Sequence, residues 1–148
     1  MISLEQGCER LLEQFSPLPV ETVPASAAAG RFLARDLFAP IDLPPFDNSA
    51  MDGFAVRSSE SVAGRRLRVV GRAVAGRGFG SAVEAGTCVR VFTGSPLPTG
   101  TDAVVMQEDT QESGPDEVEL TDEVRPWENV RFCGEDLRQG ALALAAGC

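Results

Sequence analysis

The chain has 148 residues and a formal charge of −9, with 43% apolar and 24% charged residues. That is enough for one ordinary domain or two small ones with a real core, too apolar for a disordered tail, and too broken up for the roughly 20-residue apolar run of a membrane-spanning helix. The acidic balance argues against nucleic acid as a partner, because phosphate binding is built from clustered cations.

Leu4, Cys8, Leu11, Leu12 and Phe15 recur at helical spacing, predicting an amphipathic helix over Ser3 to Phe15. Ser3 and Gln6 read as a capping box at its start, and Pro17 as its stop. One face of this helix needs a cover. The stretch from Met1 to Arg10 places acids before its first base and has no apolar signal core, so a cytoplasmic location is expected. A second helical piece, Ala25 to Ala29, should end at Gly30, and Arg31 to Phe38 should form a strand leading to Pro40.

From Ile41 to Asp52 the pattern turns to Pro, Asp, Asn and Ser, the residues of tight turns. Short β-prone runs then alternate with Gly: Gly53 to Val56, Leu67 to Val74, Cys88 to Thr93, Ala103 to Gln107, Glu117 to Leu120, Asn129 to Phe132 and Ala141 to Ala145. This spacing predicts an α+β fold that is mainly β, built on a bent antiparallel sheet. Its expected divisions are a helical and strand segment over 1–41, a β-rich domain over 42–131 and a returning strand over 132–148. The apolar ending reads as a fragment of a longer polypeptide.

The sequence contains no His, Lys or Tyr, so all thirteen basic residues are Arg. A Ser-His-Asp triad, a Cys-His pair, a Schiff-base lysine and a P-loop lysine are therefore excluded. Chemistry must come from carboxylates, hydroxyls, Arg, backbone amides, thiols or a bound metal. Cys8, Cys88, Cys133 and Cys148 lie 80, 45 and 15 residues apart, too far for the paired spacing of zinc or redox motifs. They are expected as reduced thiols, with Cys8 and Cys88 packed in the core as small hydrophobes.

Charge is uneven along the chain. Arg57 to Arg90 holds seven Arg against Glu60 and Glu84, while Asp102 to Glu123 holds nine acids and no base. The first stretch can face an anion, and the second should be solvated. Gly76-Arg77-Gly78-Phe79-Gly80 lacks the following helix of a phosphate loop and reads as a β turn. The acidic run Glu108 to Glu123 lacks the ligand alternation of a calcium loop and reads as a solvated hairpin.

Three motifs carry candidate chemistry. Pro44 to Val56 places Asp47 and Asp52 on a loop braced by Phe46 and Phe54, which is either a structural turn or a holder for hydrated Mg²⁺. Val91 to Gly100 puts Thr93 at a strand end beside Gly94, where a ligand can approach closely. Asn129 to Asp136 joins Arg131 to two acids, either as an exposed turn or as a site in which the Arg pairs with an anionic group and the acids orient a metal or a proton transfer.

These motifs, in this order, resemble the N-terminal part of the molybdopterin molybdenumtransferases, the family of bacterial MoeA and the gephyrin E domain. The likeness runs through Gly30-Arg31, Leu33-Ala34, Ile41-Asp42-Leu43-Pro44, Phe46 to Gly53, Val89-Arg90-Val91, Thr93-Gly94, Pro96, Asp102 to Val105, Asn129-Val130-Arg131 and Gly134-Glu135-Asp136. Phe54 departs from it, since Tyr is usual there.

The resemblance implies an enzyme that takes adenylylated molybdopterin and molybdate, cleaves the adenylate with Mg²⁺, places molybdenum on the dithiolene sulfurs and releases AMP. It implies catalytic roles for Asp52, Thr93 and Asp136, metal binding by Asp52 and Asp136, and substrate binding by Ser49 and Arg131. It also implies a cytoplasmic homodimer whose cleft is shared between subunits, with molybdopterin adenylyltransferase as a possible partner and neither nucleic acid nor membrane. An α/β domain would complete the cleft, so this chain would hold one wall of it. The alternatives are a gephyrin-like scaffolding module and a dimerisation module without catalysis.

Overall fold

The computed structural model describes residues 2–16 and 18–148, so the expected helix stop at Pro17 lies outside the described residues. The chain forms two compact units, one of residues up to Leu37 with Leu144–Cys148 and the other Phe38–Ala143. The fold is mainly β, with one α-helix among the described residues, as the sequence predicts.

In the first unit, helix α1 (Leu4–Leu12) starts with the predicted capping box: the Gln6 amide donates to Ser3 Oγ and the Ser3 amide to Gln6 Oε1, both at 3.2 Å. The helix ends three residues before Phe15, where Gln14 and Phe15 close tighter turns onto Leu11 and Leu12. None of α1 is buried, with Leu12 70% and Phe15 after it 74% exposed. Cys8 shares that uncovered face and is exposed, which overturns its expected place in a core.

The second helical piece tightens to a 3₁₀ turn, Ala25–Ala27, closed by Gly30 at φ 78°. Of the strand expected from Arg31, only β1 (Leu37–Phe38) forms. Leu33 instead exchanges backbone hydrogen bonds with the chain end, its amide donating to Cys148 and its carbonyl accepting from Gly147, each at 2.8 Å.

The second unit is built on β2 (Asn48–Ser49), β3 (Gly53–Val56), β4 (Arg66–Ala73), β5 (Thr87–Val91), β6 (Ala103–Met106), β7 (Thr110–Gly114), β8 (Glu117–Leu120) and β9 (Val130–Arg131). Six strands form one sheet in the order β6-β3-β5-β4-β8-β7, β2 pairs with β9, and β1 pairs with β10 (Leu142–Leu144). Every register given by the six-stranded sheet is antiparallel except β4 with β5, which run parallel. The departure follows from the connection over 74–86, long enough to return the chain to the end where β4 began, as a two-residue hairpin cannot.

Period-two alternation gives the sheet two buried faces. Val56, Leu67, Cys88, Val105, Val118 and Leu120 pack on one side, and Ala55, Ala73, Val83, Val89, Val91 and Val104 on the other. Burial pushes the Cys88 thiol up to about 12, making it an inert core group. The acidic stretch is a hairpin of β7 and β8, as expected, although β7 carries no apolar alternation and is held by pairing alone. The Gly-rich segment is a tight turn closed by two backbone bonds between Val74 and Arg77, at 2.9 and 3.0 Å.

Gly53 sits where β3 is clasped between β5 and β6, and an added Cβ would lie 2.0 Å from the Val105 carbonyl oxygen. Both neighbours are backbone and cannot yield. Gly53→Ala is expected to lower unfolding stability in urea by about 3 kcal/mol, whereas Gly80→Ala, whose Cβ meets nothing within 4 Å, stays within about 0.5 kcal/mol of the parent.

Candidate functional site

Asp52 and Thr93 are brought together by sheet register. Gly53 on β3 lies opposite Val91 on β5, so the residues just before β3 and just after β5 meet at one edge. There Asp52 Oδ1 accepts two hydrogen bonds from Thr93, one from the amide at 2.8 Å and one from the hydroxyl at 2.9 Å. The Asp52 carbonyl accepts the Gln107 amide at 3.0 Å, anchoring the same residue to the end of β6.

The Thr93 amide, then its hydroxyl, then the positive charge of Arg90 hold the Asp52 carboxyl below the ordinary carboxylate range. Asp52 is thus an anion throughout neutral pH, with Oδ2 free of protein donors among the described residues.

Arg131 and Asp136 form a second pair, with Arg131 Nη2 donating to Asp136 Oδ1 at 2.6 Å and Glu135 lying 3.6 Å from Arg131 Nε. Hydrogen bonding to Asp136 raises the already high Arg131 pKa further. The turn between them uses Gly134 at φ 69°, a left-handed position where a Cβ would press on Asp42 and Arg138. Asp136 is fixed by its own amide, which donates to the Leu43 carbonyl at 2.9 Å.

The loop of residues 47–52 lies between the two pairs and is tied to both. Toward Thr93, the Gly94 amide donates to Ser49 O and the Leu97 amide to Asp47 O, each at 2.9 Å. Toward Arg131, Asn48 and Ser49 pair with Arg131 and Val130, and the Ala50 amide donates to Asn129 O at 2.9 Å. Asn129 takes the left-handed conformation that Asn tolerates and donates its side-chain amide to Val104 O at 2.9 Å.

All five residues singled out from the sequence therefore lie on this one laced loop system, Asp52 with Thr93 and Arg131 with Asp136 as two separate pairs and Ser49 on the loop between them. No side-chain hydrogen bond or ion pair joins the Asp52–Thr93 pair to the Arg131–Asp136 pair among the described residues. Nor do the described residues contain a cluster of three or more carboxylate, thiol or imidazole ligands able to enclose a metal. Ser49 is fully buried and its hydroxyl donates to Met51 O and accepts the Met51 amide, so it shapes the turn and has no surface for substrate.

Residues 2–148 match the family described as "MoeA N-terminal region (domain I and II)". The chain belongs to this MoeA N-terminal family. It is 38% identical to the molybdopterin molybdenumtransferase of Haemophilus influenzae and 40% identical to that of Synechococcus elongatus, in each case over 99% of its own length. It spans 37% and 38% of those curated relatives. A crystal structure of the Pyrococcus horikoshii molybdopterin biosynthesis MoeA protein superposes with a TM-score of 0.79 at 34% identity, covering 85% of this chain and 34% of that one.

Two further acids hold the loops of this site: Asp42, which the sequence did not single out as a candidate, and Asp47, which it offered beside Asp52 as a possible Mg²⁺ holder. Asp47 Oδ1 accepts the Cys133 amide at 2.7 Å and Asp42 Oδ1 the Gln139 amide at 2.8 Å, so both acids hold the Arg131 turn. Partial desolvation and then the Asp42 charge push the pKa of the exposed Cys133 thiol up, which favours its protonated form. Phe54 offers its ring to Arg90, whose guanidinium carbon lies 4.9 Å from the ring centroid. Only the density of Asp and Pro in Ile41 to Asp47 signalled the first two roles.

Thr93→Val removes the hydroxyl donor and leaves the amide. Carboxyl ¹³C titration should show the Asp52 pKa rising in this variant while staying below an exposed Asp, since the amide is the larger influence. Because folding depresses this pKa, the stabilisation is present above the ordinary carboxylate pKa and disappears as pH falls through the folded value. The parent should therefore lose more stability than Thr93→Val across that acid window, as read by urea unfolding.

Proposed function

We propose that the chain is the N-terminal part of a molybdopterin molybdenumtransferase that inserts molybdenum from molybdate into adenylylated molybdopterin with release of AMP. The observation that carries this reading is the Asp52 carboxylate, ionised and aimed by both donors of Thr93 within a chain that matches the family from end to end.

In this reading Asp52 supplies a fixed negative charge at the lip of the cleft, with Oδ1 engaged and Oδ2 available. Thr93 sets its orientation. Arg131 offers cationic donors toward an anionic substrate group, and Asp136 steadies that guanidinium from one side. Ser49 acts by shaping the loop that carries Asp52.

The donor set fits Mg²⁺ in its hydrated form, which takes one or two carboxylates and keeps several waters. Asp52 would hold it through Oδ2, and Asp136, engaged with Arg131 through Oδ1 alone, is the other carboxylate available. Bound there, Mg²⁺ would offset charge on the phosphoanhydride of the substrate. The complete site is shared with an α/β region and formed in a homodimer in the cytoplasm, so the 148-residue chain folds but does not turn over.

Asn at position 52 can still accept both Thr93 donors through its carbonyl oxygen while losing the charge. Asp52→Asn in the full-length protein is expected to keep the fold and to lower molybdenum insertion on the order of 100-fold. Insertion at the parental rate would remove Asp52 from the mechanism. Incubating the isolated chain with adenylylated molybdopterin, molybdate and Mg²⁺ should release no AMP, and turnover by the chain alone would refute the shared site.

A further inference from the structure

The arginine-rich stretch noted in the sequence has a structural counterpart that the reading above does not use. A groove of about 840 Å³ opens on the sheet of the second unit, floored by Phe54, Arg72, Arg90 and Phe92. Arg72 on β4 and Arg90 on β5 are direct register partners. Like charges placed opposite each other across a strand pair repel and destabilise the sheet unless something neutralises them.

No carboxylate reaches either one. Among the described residues, every ion pair within 4.0 Å involves Arg31, Arg66 or Arg131. Asp52 feels the Arg90 charge without touching it. Arg90 is only partly exposed, yet its contacts are neutral: the rings of Phe54 and Phe92, with centroids 4.9 and 5.3 Å from the guanidinium carbon, and the Gln107 side-chain Oε1. Two rings and one hydrogen bond fix the guanidinium plane and leave most of its five N–H donors unused. A half-desolvated cation with a second cation opposite is an arrangement that an anion would relieve.

We propose that Arg72 and Arg90 form a binding site for a phosphate-type oxyanion, with Arg90 pre-oriented by Phe54, Phe92 and Gln107 as its main contact. Glu112, Asp116 and Glu117 line the same groove. Their charge confines the anion to the arginine end and keeps affinity modest. The volume lies within the range of small-molecule pockets, so the oxyanion is either a free ion or the phosphate of a larger ligand.

The test is an NMR titration of the chain at low salt with inorganic phosphate in one arm and AMP in the other, with sodium chloride at matched ionic strength as reference. Saturating shifts at the Arg90 Nε–H and the Phe54 and Phe92 amides are expected, with at least tenfold weaker binding in Arg90→Gln and Arg72→Gln and parental binding in Arg66→Gln. Tighter binding of AMP than phosphate assigns the site to a larger phosphorylated ligand, and equal or weaker binding assigns it to the free ion. Shifts that grow linearly without saturation, or that persist in Arg72→Gln, would overturn the site even if Arg90→Gln fails to fold.

Discussion

The double hydrogen bond from Thr93 to Asp52 Oδ1 is the constraint on which the functional half of this molecule turns. It is a consequence of strand pairing. Once Gly53 lies opposite Val91, the flanking residues have nowhere else to meet, and the absence of a side chain at Gly53 lets β6 close on the other side. A carboxylate at this edge would otherwise rotate freely and titrate as a surface acid. Pinned by an amide and a hydroxyl, it presents one oxygen in a set direction and stays charged.

The same economy of means governs the Arg131 side. Asp42 and Asp47 bind backbone amides, the Leu43 and Pro44 carbonyls accept from Asp136 and Gly134, and the result is a short turn that holds Arg131 against Asp136. The two halves are joined through the loop of residues 47–52 by backbone hydrogen bonds on both flanks. Such a scaffold keeps charged groups of opposite sign in fixed places without enclosing them.

Much of this was legible in the sequence because the determinants are local. The capping box at Ser3, the strands Gly53 to Val56 and Glu117 to Leu120, and the left-handed glycine at 30 follow from residue type and spacing. The pairing of Asp52 with Thr93 was reachable only through family likeness, since 41 residues separate them and nothing local announces the register. Arg131 and Asp136, five residues apart, were easier.

What escaped the sequence is long-range. The parallel pairing of β4 with β5 depends on how the 74–86 connection crosses, and β7 is a strand only because β8 lies beside it. Cys8 and its apolar helix face read as core by periodicity, yet periodicity reports a face without saying what covers it. Ser49 matched a functional motif, but its burial turns the hydroxyl inward to Met51.

The central claim, that Asp52 is the carboxylate that receives a divalent cation, is tested most directly by paramagnetic broadening of the ¹³C-carboxyl signals as Mn²⁺ is titrated in place of Mg²⁺. The account predicts that Asp52 broadens first among the 22 acidic side chains and recovers when excess Mg²⁺ is added. Earlier broadening of the Glu108 to Glu123 hairpin, with Asp52 unaffected, would contradict it.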